Sequence, residues 1–229
     1  MLFLINRTFI QKMNQNTQII TEIEKKLCKE AGIRQLKNNP RAQAYINTQL
    51  PVAGIPVPLQ RKVHKTGFSF PSSKEVYTQI FLQAEYHEVK TQALYFIENW
   101  LHKSKDKAIW NEIKKWTVAI DNWAHSDGLS SCYSKLLEVH EDLVFPQLKK
   151  WNKSKNPWER RQSIVSLMYY QRTKKKFPPV EEMSKLIENL IADEHYYVQK
   201  GVGWALRELR QVDALAANKI LQKYLGEIS

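Results

Sequence analysis

Residues 180–212, VEEMSKLIENLIADEHYYVQKGVGWALRELRQV, carry two helical patterns in succession, and their reading decides the fold. A two-faced helix must cover its apolar side, and a pair of them must stack on a neighbouring pair to do so. Outward from this pair the same unit recurs. Toward the C-terminus ALAANKILQKYLGE closes the chain, and toward the N-terminus lie NPWERRQSIVSLMYYQR and DGLSSCYSKLLEVHEDLVFPQLKKW. Helical pairs return about every 35–45 residues, the spacing of HEAT-type solenoids, although an irregular helical bundle fits the period nearly as well.

The remaining segments agree. Ile19, Ile20, Ile23 and Leu27 fall at helical spacing, with Gly32 as a stop, and a short helix is expected after Pro40. LPVAGIPVPLQ, with three prolines and Gly54, reads as a loop, either a packed turn between helices or a surface that meets a ligand. SSKEVYTQIFLQAEYHEVKTQALYFIENWLHK reads as one or two helices, capped by Ser72 or Ser73 and striped by Leu94, Ile97 and Leu101. Asn156 and Pro157 suit the cap and first turn of a later helix. The sum is an all-α chain of about ten or more helices, with no credible strand.

Composition narrows the function classes. The 229 residues are 43% apolar and 11% aromatic, enough for a core and for a single domain over 1–229, with residues 1–12 read as a flexible lead. No apolar run is long enough to cross a bilayer, and MLFLINRTFIQK lacks the charge order of a signal peptide, so a cytoplasmic protein is expected. Cys28 and Cys132 lie far apart and form no framework. Phosphate-cradling glycine loops, dinucleotide fingerprints and metal-ligand spacings are absent, and the six histidines are scattered, so a cofactor-free and metal-free mechanism is expected.

The net charge of +12 is concentrated. Between Phe145 and Lys176 stand ten bases, Lys149, Lys150, Lys153, Lys155, Arg160, Arg161, Arg172, Lys174, Lys175 and Lys176, against the single acid Glu159. A solvated helix face mixes signs, so this segregation points to a phosphate backbone. A membrane surface is the weaker alternative, because no free-standing basic amphipathic helix accompanies the run.

One further stretch gathers chemistry: Trp116–Ser131, WTVAIDNWAHSDGLSS, sets Asp121 and Asp127 beside Trp116, Trp123 and His125. On a continuous helix the two carboxylates diverge by about 120°, whereas Trp123 and Asp127, four apart, share a face. The alternative is that Trp123 is core and that Asp127 caps a helix starting at Asp-Gly.

Three patches together carry a resemblance. NWAHSDGLSS resembles the W-x-x-x-D-x-L patch of the AlkD-type DNA alkylation repair glycosylases, a family built of HEAT-like repeats. SKNPWERRQSIVSLMYY is similar to that family's N-x-W-x-x-R-x-A-I signature, with Ser163 in place of alanine, and HYYVQKGVGWALRELRQV looks like its closing K-x-I-G-W-x-L-R-E segment. The likeness spans roughly Val63 to Leu225 and is loose before that. It implies a superhelical solenoid and hydrolytic excision of cationic N3- and N7-alkylpurines from duplex DNA by a monomer, without base flipping. It also implies an active-site set of Trp123, Asp127, Arg161 and Trp204, with Asp127 opposing the growing sugar cation, the two indoles offering π faces, and Arg161 clamping a phosphate. Lys149, Lys150, Lys153, Lys155, Arg160, Lys174, Lys175 and Lys176 are the expected DNA contacts. A catalytically silent DNA-binding or protein-interaction scaffold is the alternative.

Overall fold

The computed structural model describes residues 2–104 and 106–225, with side chains from residue 15 onward, and among them are twelve α-helices and no strand. The all-α expectation is met. The chain divides into two compact units, Met1–Trp100 and Leu101–Ser229. No helix among the described residues is long and apolar enough to cross a membrane.

The first unit holds α1 (Leu2–Ala31), α2 (Pro40–Ile46), α3 (Val57–Thr66), α4 (Lys74–Gln83) and most of α5 (His87–Lys103). The expected flexible lead over 1–12 falls on residues whose side chains lie outside the described set. Ile23 and Leu27 of α1 are fully buried with Val63 of α3 and Ile80 and Phe81 of α4, while the Tyr77 and Phe96 rings stack 3.8 Å apart. Gly32 ends α1 at φ +67, as its sequence position foretells. The proline-rich loop is a packed turn: Val52 and Ile55 are buried, and the carboxylate of Glu88, 1% exposed, accepts the backbone N–H groups of Ala53, Gly54 and Ile55. The loop is shorter than its prolines suggest. Pro58 sits in the first turn of α3, where a missing N–H costs nothing, so the helix starts where a breaker was read.

The second unit holds α6 (Lys107–Ile113), a 3-10 turn over Lys114–Ala119, α7 (Trp123–Val139), α8 (Glu141–Trp151), α9 (Pro157–Val165), a 3-10 turn over Gln171–Thr173, α10 (Val180–Glu188), α11 (Tyr196–Val212) and α12 (Ala214–Lys223). Nine-residue α9 is its axle, packing against α7, α8, α10 and α11. Asn156 caps α9 by accepting the Trp158 N–H at 2.9 Å, and Pro157 occupies its first turn. Trp110, Tyr133 and Trp151 form one buried aromatic cluster with centroids 5.3–5.9 Å apart. Truncating any of them would cost about 3–5 kcal/mol. Trp151 and Trp158, which interleave the basic run, are therefore core.

Candidate functional site

The site begins with the cap of α7. Asn122, fully buried, accepts the His125 N–H through Oδ1 at 2.9 Å, and its Nδ2 donates to Asp121 Oδ1 at 2.8 Å and faces His125 Nδ1 at 3.1 Å. The helix thus starts at Trp123, not at Asp-Gly, and the reading of Asp127 as a cap is corrected. Asp127 lies one full turn inside α7, on the same face as Trp123 and half-buried like it. Asp121 precedes the helix, so the two carboxylates do not share it; Asp121 serves the cap, and His125 is buried beneath it.

Arg161 comes up from α9 to meet Asp127. Its Nε and Nη2 both donate to Asp127 Oδ1, at 3.3 and 2.8 Å, while Nη1 donates to the Tyr197 carbonyl of α11 at 2.6 Å. Among the described residues only Oδ1 is engaged, and Oδ2, which has no hydrogen-bond partner there and is not fully buried, is open to solvent on a side chain 22% exposed. Burial pushes the Asp127 carboxyl above its ordinary value of 3.8, and the Arg161 charge and hydrogen bonds pull it partway back. The expectation that Arg161 clamps a DNA phosphate is corrected: the residue is 4% exposed, and its guanidinium is occupied inside the protein as the holder of Asp127.

Gly201 allows this arrangement. A Cβ there would lie 3.3 Å from Arg161 Cγ and 3.4 Å from its Nη1, so the bare backbone of α11 lets the guanidinium pass. Trp204 stands one turn further along α11. Its Nε1 donates to Glu208 Oε1 at 3.1 Å, and its ring meets the edges of Tyr169 and Tyr170 at centroid distances of 4.9 and 5.8 Å. Three helices therefore deliver the four expected residues: Trp123 and Asp127 from α7, Arg161 from α9 and Trp204 from α11. Asn122, Gly201 and Glu208 escaped the sequence reading, although Glu208 stands within the closing motif and Asn122 immediately before a helical pattern.

The basic window sorts into two groups. Arg160 binds both oxygens of Asp193, at 2.5 and 3.1 Å, and its Nη1 donates to the Ser154 and Lys155 carbonyls. That makes it a brace for the loop between α8 and α9 rather than the expected DNA contact. Ser163 supports it, donating to the Arg160 carbonyl at 2.6 Å and accepting from Asn152 at 3.0 Å. Lys149 is paired with Glu182, Lys176 with Glu141, and Lys174 is turned in to Ser134. Lys150, Lys153, Lys155 and Lys175 are exposed, and their ammonium groups have no acidic partner among the described residues, although the Lys175 backbone N–H donates to Glu138 Oε1 at 3.0 Å.

The chain belongs to the DNA alkylation repair enzyme family, whose model matches residues 31–227. A structure described as a "Predicted DNA alkylation repair enzyme from Enterococcus faecalis" is similar in fold, with a TM-score of 0.64 at 19% identity over 82% of this chain and 91% of that one. AlkD2 from Streptococcus mutans is similar at a TM-score of 0.53 and 20% identity, over 73% of this chain and 81% of that one. No curated protein matches the sequence.

Proposed function

We propose that this member of the family is a DNA glycosylase that excises cationic N3- and N7-alkylpurines from duplex DNA by hydrolysis, as a monomer and without metal or cofactor. Alkylation places a positive charge on the purine, so the base leaves without a general acid. The C1′–N bond breaks with its electron pair going to the purine, which departs neutral, and positive charge grows on the deoxyribose. Water adds at C1′ and releases a proton. Asp127 stabilises the sugar cation electrostatically and orients that water. Trp123 and Trp204 offer π faces to the cationic region. Because these groups act from the surface of α7 and α11, the lesion needs no flipping into a closed pocket, in contrast to other glycosylases. Lys150, Lys153, Lys155 and Lys175 hold the phosphate backbone.

The observation that carries this reading is the state of Asp127. Arg161 fixes one oxygen, and the other is left open on the face of α7 that also carries Trp123. A purely structural ion pair gains most when both carboxylate oxygens are satisfied. The test is to incubate the protein with methylated duplex and assay free 7-methylguanine and 3-methyladenine. Release of either supports the proposal. Wild-type duplex binding with no release would assign the chain to the silent DNA-binding alternative.

A further inference from the structure

Tyr170 is the least comfortable residue of the second unit. Its backbone is left-handed, φ 47 and ψ 68, a region that a bulky non-glycine residue occupies only under constraint. Its large aromatic side chain is nonetheless 47% exposed, so burial does not explain the strain. The constraint is visible in its neighbours. Its carbonyl accepts the N–H and the hydroxyl of Thr173, both at 2.9 Å. The next N–H, of Gln171, donates to Glu208 Oε2 at 3.0 Å, while Glu208 Oε1 accepts the Trp204 indole N–H. One carboxylate on α11 thus fixes both the Trp204 ring and the turn that carries Tyr170.

The consequence is a fixed aromatic corner. Tyr170 meets Trp204 edge-on at 5.8 Å and Tyr169 at 4.9 Å. It also lines a cavity of about 330 Å³ whose α7 wall includes Ser131, one turn beyond Asp127 on the same face. The Arg172 guanidinium lies over the Tyr170 ring, 5.8 Å from its centroid, so the ring already takes part in one cation–π contact.

We propose that Tyr170 is a third aromatic wall of the site, contacting the cationic nucleotide beside Trp204, and that Glu208 is the positioning residue that holds the two rings together. The inference rests on the glycosylase reading and adds the residues that set its preference for a positively charged nucleotide. The backbone strain is retained because it presents the ring.

The test compares binding to two duplexes at fixed salt, one with a protonated pyrrolidine abasic analogue and one with neutral tetrahydrofuran, alongside excision of 7-methylguanine. The wild type is expected to prefer the cation. Tyr170→Leu should lose roughly five- to tenfold of that preference, and Tyr170→Phe, which keeps the π face, should retain it. Tyr170→Gly relieves the left-handed strain, so it should melt no lower than the wild type while losing the preference as Leu does. Glu208→Ala should reproduce the defect, with Tyr170→Leu adding little on top of it. If Tyr170→Leu keeps both the preference and the wild-type excision rate, the inference falls and the glycosylase reading stands. If the wild type neither excises nor prefers the cation, both fall.

Discussion

Replacing Arg161 with Met keeps the aliphatic stem and removes a guanidinium that is 4% exposed and makes three hydrogen bonds. Breaking a buried ion pair from one side costs about 3–5 kcal/mol. Asp127 keeps an oxygen in solvent, so the lower end applies, about 3 kcal/mol, or a fall in Tm of roughly 6–12 °C for a chain this long. The loss should depend on pH. The folded pKa of Asp127 lies above 3.8, so its carboxyl contributes stability below 3.8 that is lost as pH rises through the folded value. Without Arg161 the interactions that lower this pKa vanish and it climbs further. The neutral-pH penalty therefore grows, and acidification relieves it. The Tm deficit of Arg161→Met against the wild type should narrow as pH falls from 7 toward 4. Because the proposed chemistry uses ionised Asp127, the acid limb of the excision profile should move to higher pH in the variant. Thermal unfolding and excision measured across that range check both. A deficit constant with pH, together with an unmoved acid limb, would refute the claim that Arg161 tunes Asp127.

Two glycines on α11 make a matched pair. Gly201→Ala should cost about 1–2 kcal/mol and lower excision by displacing Arg161, whereas Gly203→Ala, with nothing within 4 Å of its Cβ, should stabilise by about 0.5–1 kcal/mol; melting curves and turnover separate them. The four lysines with unpaired ammonium groups imply a log–log salt slope of roughly −3 to −4 for duplex binding, less steep than ten bases suggest, and Lys153→Glu with Lys155→Glu should reduce it by about 2. Wild-type affinity in that double variant at low salt would remove the loop from the interface. The expectation of one domain becomes a proposal of one unfolding transition, because α5 runs across the boundary between the two units and its hydrogen-bonded turns melt together; two resolved calorimetric transitions would contradict it.

The helices and the shared face of Trp123 and Asp127 were legible because both rest on short-range spacing: Asn156 and Ser73 cap as expected, and Trp123 and Asp127 stand four residues apart on one helix, whereas Arg161 and Trp204 entered only through the resemblance. The errors came from local signals that tertiary packing overrode. Gly128 inside α7 costs about 1 kcal/mol against alanine, which made Asp-Gly look like a boundary, yet burial of Leu129, Tyr133 and Leu136 carries the helix through. Pro56 and Pro58 read as breakers, and they open a helix. The charge of the basic window was plain, but its allocation was not. Arg160 and Arg161 find Asp193 and Asp127 at separations of 33 and 34 residues, a distance at which sequence offers no pairing rule. Tyr170 stands among the cations of the basic window, and nothing local announces its left-handed backbone.

The central claim is that the charge on Asp127 does the chemistry, and Asp127→Asn tests it most directly. The substitution keeps size and most hydrogen bonding, and it removes the negative charge that opposes the sugar cation. Release of 7-methylguanine from methylated duplex should fall about 10²–10³-fold, as for loss of one preorganised electrostatic stabiliser, with duplex affinity unchanged or slightly higher. Asp121→Asn, at the α7 cap, should lose far less. Wild-type excision by Asp127→Asn with an inactive Asp121→Asn would contradict the account and move the catalytic carboxylate to Asp121.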